Sequence, residues 1–167
     1  MTKRSAKPAV APKKAPAAGR QQRTVGAVLE VDLGGGQHAY ARVLRDASFA
    51  FYDLVAEETP LLAQITSRKV LFIVGVYDHA VTKGRWRKLG AEPLPKSLET
   101  VPPRFIQDSL DPTELRVYEN GEIRDSTRKE CQGLEAAAVW EPEHVEDRLR
   151  DHFAGRKNKW VESLRIK

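Results

Sequence analysis

Cys131 is the only thiol in the 167-residue chain, and it sits beside Gln132 and Gly133 in an apolar stretch. A nucleophilic cysteine works as a thiolate and needs a base or a positive environment beside it. The run from Cys131 to Trp140 is mainly apolar, so Cys131 reads as a small buried side chain; being alone, it forms no intramolecular disulfide. A zinc site needs about four ligands, commonly in closely spaced pairs. His38, His79, His144 and His152 are scattered over more than half of the chain. Only His144 and His152 share an expected helix, where a spacing of eight sets them about 80° apart. Glu57-Glu58, ahead of Thr59-Pro60, read as solvated turn residues. No nucleophile, acid and base combine, so neither catalytic residues nor a metal or cofactor are expected, and binding is the class that remains.

Two charged segments could bind. Arg85-Trp86-Arg87-Lys88 interleaves an aromatic with bases, a pattern able to stack on single-stranded nucleic acid. The reading we favour has Trp86 packed inward and its neighbours in water. From Glu135 to Asp151, six acids (Glu135, Glu141, Glu143, Glu146, Asp147, Asp151) face Arg148 and Arg150, a local net charge of −4. Part of that serves a helix dipole; the rest could form an acidic docking face for a basic partner.

The bulk charge divides unevenly. Seven of the 28 Lys and Arg lie in residues 1–23, which hold no acid. The remainder has 21 bases against 23 acids, so the overall +5 conceals a body of net charge −2. Residues 1–23 are mainly Lys, Ala and Pro and cannot bury enough apolar area to offset their ordering entropy. They read as a disordered tail: a solvated extension, a start codon placed too early, or a salt-sensitive phosphate-binding arm. Residues 24–167 are long enough for one domain with a real core. The longest apolar run is far short of the ~18 residues of a membrane span, and the expected compartment is the cytoplasm.

The elements that position these groups follow from periodicity. Val70 to Tyr77 carries no charge and reads as a buried strand, which needs cover on both faces. It feeds into the basic segment ending at Lys88, which reads as a surface loop. Val25, Ala27, Leu29, Val31 and Leu33 alternate with Glu30 and Asp32 as a half-buried strand. Gly34-Gly35-Gly36 then turns the chain into a second strand, Gln37–Leu44, where positive φ is free. Ser48–Leu54 is a third strand, and Leu61, Leu62 and Ile65 fit one or two helical turns. Five Gly or Pro residues between Leu89 and Phe105 predict an irregular extended connection. Asn120-Gly121 marks a hairpin between Leu115–Tyr118 and Glu122–Asp125. Cys131–Trp140 fits strand or helix. Glu141 and Pro142 start the clearest helix, with Val145, Leu149 and Phe153 along one face and Gly155 at its end. Trp160–Ile166 reads as a last strand. The fold class expected is β-dominated α+β: a mostly antiparallel twisted sheet or partly open barrel, with a C-terminal helix and one or two short helices packed on it.

The opening hairpin (Val25 to Leu44), the Phe49–Leu54 strand, Phe72 to Trp86 ending in Gly84-Arg85-Trp86, and the Cys131-Gln132-Gly133-Leu134-Glu135 segment running to Val139-Trp140 together resemble a known family. It is the immunity protein family numbered twenty-six of bacterial polymorphic toxin systems, and the resemblance runs from about Thr24 to Ile166. That family has Gly-Asp in its first strand, where this chain has Gly26-Ala27. The resemblance implies a mostly-β, non-enzymatic cytoplasmic protein that binds and neutralises a cognate toxin domain; it assigns no residue roles. The expected toxin-binding candidates are Asp53, Asp78, Arg85, Arg87, Glu141, Glu143 and Glu146. The expected core anchors are Phe72, Val74, Trp86, Trp140 and Leu149. The alternative is a nucleic-acid-binding accessory protein using the basic tail and the Arg85–Lys88 loop, with no membrane contact in either case.

Overall fold

The computed structural model describes residues 19–167. Two open sheets make up the frame, and neither closes into a barrel. The first is built from β1 (Ala27–Gly34), β2 (Gln37–Val43), β3 (Ser48–Ala56), β4 (Val70–Val76), β5 (Arg87–Ala91) and β10 (Val139–Trp140), in the order β10-β4-β3-β2-β1-β5. The second holds β6 (Arg104–Gln107), β7 (Leu115–Glu119), β8 (Glu122–Ser126) and β9 (Glu135–Ala136), in the order β8-β7-β6-β9. Neighbours pair antiparallel except β10 on β4 and β9 on β6, which are parallel. The segment Glu135–Trp140 therefore joins the two sheets, with one two-residue strand in each.

Both expected hairpins form. Gly34, Gly35 and Gly36 take positive φ between β1 and β2, and Asn120 and Gly121 do so between β7 and β8. The first sheet is covered on both faces, as the apolar β4 requires. On one face Leu29, Val31, Phe49, Phe51 and Val74 pack with Trp86, Val145 and Leu149. These last two come from α4 (Pro142–Phe153), whose cap residue Glu141 and first-turn Pro142 follow the expected start. On the other face Val28, Tyr40 and Tyr52 pack under Ile65 of α1 (Leu62–Thr66). A second small cluster there joins Leu44 and Ala50 to Leu98, in a 3-10 turn of the proline-rich connection.

Several expectations need correction. β1 is not half-buried: Val28 and Glu30, on its supposed solvent face, lie under α1 and the loop after β3. Glu30 is tolerated there because Arg87 and Thr59 hydrogen-bond to it. Residues 83–88 are not a plain surface loop. A short helix, α2 (His79–Thr82), follows β4, Gly84 turns the chain at φ 72°, and Arg87–Ala91 pairs with β1 as an edge strand. The Leu89–Phe105 connection is likewise partly regular, and buried Arg42 fastens it by donating Nη2 to the carbonyls of Glu92 and Pro93, 2.9 Å each. Cys131–Trp140 is neither one strand nor one helix: α3 (Arg128–Cys131) ends in it, and β9 and β10 follow. The last element is α5 (Lys159–Ser163), not a strand, because the Asn158 side chain accepts from the N–H groups of Trp160 and Val161 and starts a helical turn.

Gln21 and Arg23, which composition assigns to the tail, pack on the body. The Gln21 side chain donates to Val81 O and Trp86 O and accepts from Lys88 N. Arg23 donates to Leu44 O. The rest of the expected tail, residues 1–18, lies outside the described residues. No helix among the described residues is long and apolar enough to cross a membrane.

Candidate functional site

The turn after α2 aims Trp86 into the main core. Its backbone N–H reaches Ala80 O at 2.8 Å, and its ring meets Phe49 and Phe51 edge-on, with centroids 5.8 and 5.7 Å away. A buried indole needs a partner for its N–H. Glu146 of α4 supplies it: Trp86 Nε1 donates to Glu146 Oε1 at 2.9 Å. Arg85 grips the same carboxylate as a fork, with Nε to Oε1 at 2.7 Å and Nη2 to Oε2 at 2.8 Å. Its Nη1 lies 2.8 Å from Glu143, and Arg150 approaches Glu146 from the next helical turn at 3.6 Å. The hydrogen bonds to Glu146 raise the Arg85 guanidinium above its ordinary value, against the opposing effect of burial. This cluster clamps α4 onto the turn beneath it.

Beside the clamp, the end of β4 meets β10 and the start of α4. Tyr77 donates its backbone N–H to Trp140 O at 3.1 Å, which places it next to Glu141. Its ring stacks near His79, and His79 Nε2 lies 3.6 Å from a Glu141 oxygen. Tyr77 is 47% exposed and Val139 50% exposed, both large apolar side chains left in water. Asp78 follows Tyr77 in the chain, and Glu141 and Glu143 stand at the start of the helix after Val139-Trp140, each about half-exposed. Asp78 is paired with Arg23 Nε at 3.0 Å, one reason Arg23 lies against this end. Two exposed apolar side chains thus stand at this end together with three half-exposed acids, each beside a basic partner.

The structure thus gathers Asp78, Arg85, Glu141, Glu143 and Glu146 at one end and leaves Asp53 and Arg87 elsewhere. Asp53 lies 3.5 Å from His152 Nε2, and Arg87 is 2.7 Å from buried Glu30. Glu146 needs correction as a partner-binding candidate: it is 5% exposed and all its neighbours are internal. The acidic run is also less free than its count suggests. Glu135 holds Arg148, Asp147 holds Arg150 and Trp160 Nε1, and Asp151 holds Arg156 and Asn158. Glu141 and Glu143 are the most exposed of the paired acids in the run, Glu141 beside His79 and Glu143 on Arg85. Tyr77 and Val139 went unmarked in sequence because apolar residues ending apolar strands look like core.

The nucleic-acid reading of residues 85–88 loses its stacking surface, since Trp86 is fully buried and Arg85 and Arg87 are both engaged with carboxylates. Of the expected core anchors, Val74, Trp86, Trp140 and Leu149 are buried, while Phe72 is half-buried under the Arg148 guanidinium, 3.7 Å from its ring centroid. Cys131 is buried, with Ser126 Oγ as its nearest polar neighbour at 3.6 Å. Among the described residues no three His, Cys, Asp or Glu side chains gather as metal ligands would.

A model of the family described as Immunity protein 26 matches residues 24–115. The match covers more than half of the chain, from the approach to β1 to the first residue of β7, and stops short of the 131–140 segment on which part of the resemblance rests. No curated protein and no solved structure matches the chain.

Proposed function

The chain belongs to the Immunity protein 26 family, and from that membership we propose that it binds a cognate toxin domain and neutralises it, acting by contact and not by catalysis, in the cytoplasm. The contact surface is the Tyr77–Val139 patch with its rim of Asp78, Glu141 and Glu143. One observation carries this choice: two large apolar side chains, Tyr77 after β4 and Val139 on the β10 strand paired with it, stay exposed near the half-exposed Asp78, Glu141 and Glu143. Aromatic side chains at the centre of a contact commonly carry most of its energy, and rim charges set the association rate. An acidic rim suits a toxin with a basic active site, such as a nuclease, which it would steer and cover.

The test is the affinity of the full chain for its cognate toxin domain, sought first in the gene beside it. Tyr77→Ala should weaken binding about 10- to 100-fold through faster dissociation, about 1.4 kcal/mol per tenfold. Glu143→Lys leaves the Glu146 clamp in place and should slow association and flatten its salt dependence. Unchanged kinetics in both variants would move the contact surface elsewhere.

A further inference from the structure

The first sheet is unfinished along β4. On its inner side β4 pairs with β3 from Val70 to Gly75. On its outer side β10 pairs only with Gly75 and Val76. Backbone groups alternate sides along a strand, so Ile73 presents its N–H and C=O in the same direction as Gly75, beyond the reach of β10. No strand among the described residues pairs with Val70–Ile73 on this side. Proteins usually protect such an edge with charges, proline or a covering loop; this one reads Val-Leu-Phe-Ile. It lines a crevice of 310 Å³ whose far wall includes Pro102, Arg104, Leu134 and Glu135.

Arg104 marks the closed end of that crevice. Its Nη1 and the carbonyl oxygen of Ala138 both stand against Gly75, 3.2 and 3.4 Å from where a Cβ would lie. The residue is 8% exposed, and its Nη2 donates to Ser48 Oγ at 2.8 Å. No carboxylate among the described residues comes within 4 Å of the guanidinium. Glu135, its partner in register on β9, is held by Arg148 instead. Burial lowers Arg104 from its ordinary value, and the charges of Glu135 and Asp46 oppose that shift only in part, from beyond ion-pair distance. The one side-chain hydrogen bond of Arg104 is to a neutral hydroxyl, which leaves donor capacity on the guanidinium, and a carboxylate is the group it matches best.

We propose that this crevice takes the extended C-terminal segment of a partner protein, which adds a strand to β4 and lays its terminal carboxylate on Arg104. β10 blocks the ladder at Gly75, so a guest strand must end there. A guest running parallel to β4, as β10 does, ends with its C-terminus at that point. Backbone pairing with Ile73 supplies affinity, and the terminal charge fixes the register. The site is separate from the Tyr77 patch, and the proposal does not rest on that patch binding a toxin.

The test uses the full chain and a displayed library of random heptapeptides with free C-termini. The best binder is then synthesised as the free acid, the C-terminal amide and a backbone N-methylated form. The free acid should bind at least tenfold more tightly than either other form. It should also slow amide exchange at Ile73, and Arg104→Lys, folded by circular dichroism, should reduce the preference for the acid. Three outcomes each overturn the proposal: no enriched peptide, a binder indifferent to amidation, or protection that maps away from β4. Loss of toxin binding in Tyr77→Ala with peptide binding intact leaves this site standing, and the reverse result removes this site alone.

Discussion

Glu146 is a charge that works as structure. Its two oxygens receive the Trp86 indole and the Arg85 fork, which joins a core aromatic to the helix that covers it. Glu146→Gln keeps an acceptor for the indole but loses the fork and sets an amide N–H₂ against Arg85. Breaking a fully buried pair costs about 3–5 kcal/mol; with Arg85 partly in water the expected loss is nearer to 2 kcal/mol, read as a lower urea midpoint at unchanged slope. The sequence marks Glu146 only as the i, i+4 neighbour of Arg150, a pair that does exist at 3.6 Å. Its main partner lies 61 residues earlier. Spacing on one helix cannot reveal a partner brought by another element, so an acid with an internal task looks like an acid free for docking. Buried Glu30 and Arg42 escape notice for the same reason.

Among the elements, those governed by local turn chemistry were legible and those governed by distant pairing were not. The Gly-Gly-Gly and Asn-Gly hairpins and the Glu141-Pro142 helix start are written in adjacent residues. β9 and β10 hold two residues each, too few to show any period, and exist because β6 and β4 offer them edges. α5 was missed because Trp160, Leu164 and Ile166 suggested alternation, whereas Asn158 and the spacing of Trp160, Val161 and Leu164 fit a helical turn. Gly26, in the place where the resemblance sets a Gly-Asp pair, has a clear elemental role. It takes φ 87°, donates its N–H to Val43 O and accepts from the Glu92 N–H. A Cβ there would stand 2.2 Å from the Glu92 carbonyl oxygen. Gly26→Ala should therefore cost about 3 kcal/mol from strain and overlap, and hydrogen exchange should show β5 loosening from β1 first.

For the molecule as a whole, dividing the charge sets a boundary after Arg23, and Gln21 and Arg23 bear on where the folded unit begins. The three side-chain hydrogen bonds of Gln21 and the contacts of Arg23 with Leu44 O and Asp78 place these residues with the folded unit. We propose that this unit begins at Gln21. A chain starting at Gln21 should be more stable than one starting at Thr24 by about 2 kcal/mol, at roughly 1 kcal/mol per net hydrogen bond less the partial exposure of the site. Thermal unfolding of the two chains checks this.

The bond between Trp86 and Glu146 spans 60 residues. At a synthesis rate of about 5–20 residues per second, roughly 3–12 seconds separate the appearance of the indole from that of its acceptor. Through that interval the hairpins of the first sheet are already made, and one apolar face waits for α4. During translation the sheet should therefore pass through a stage in which that face still lacks its helix, exposed to water until residues 142–153 arrive.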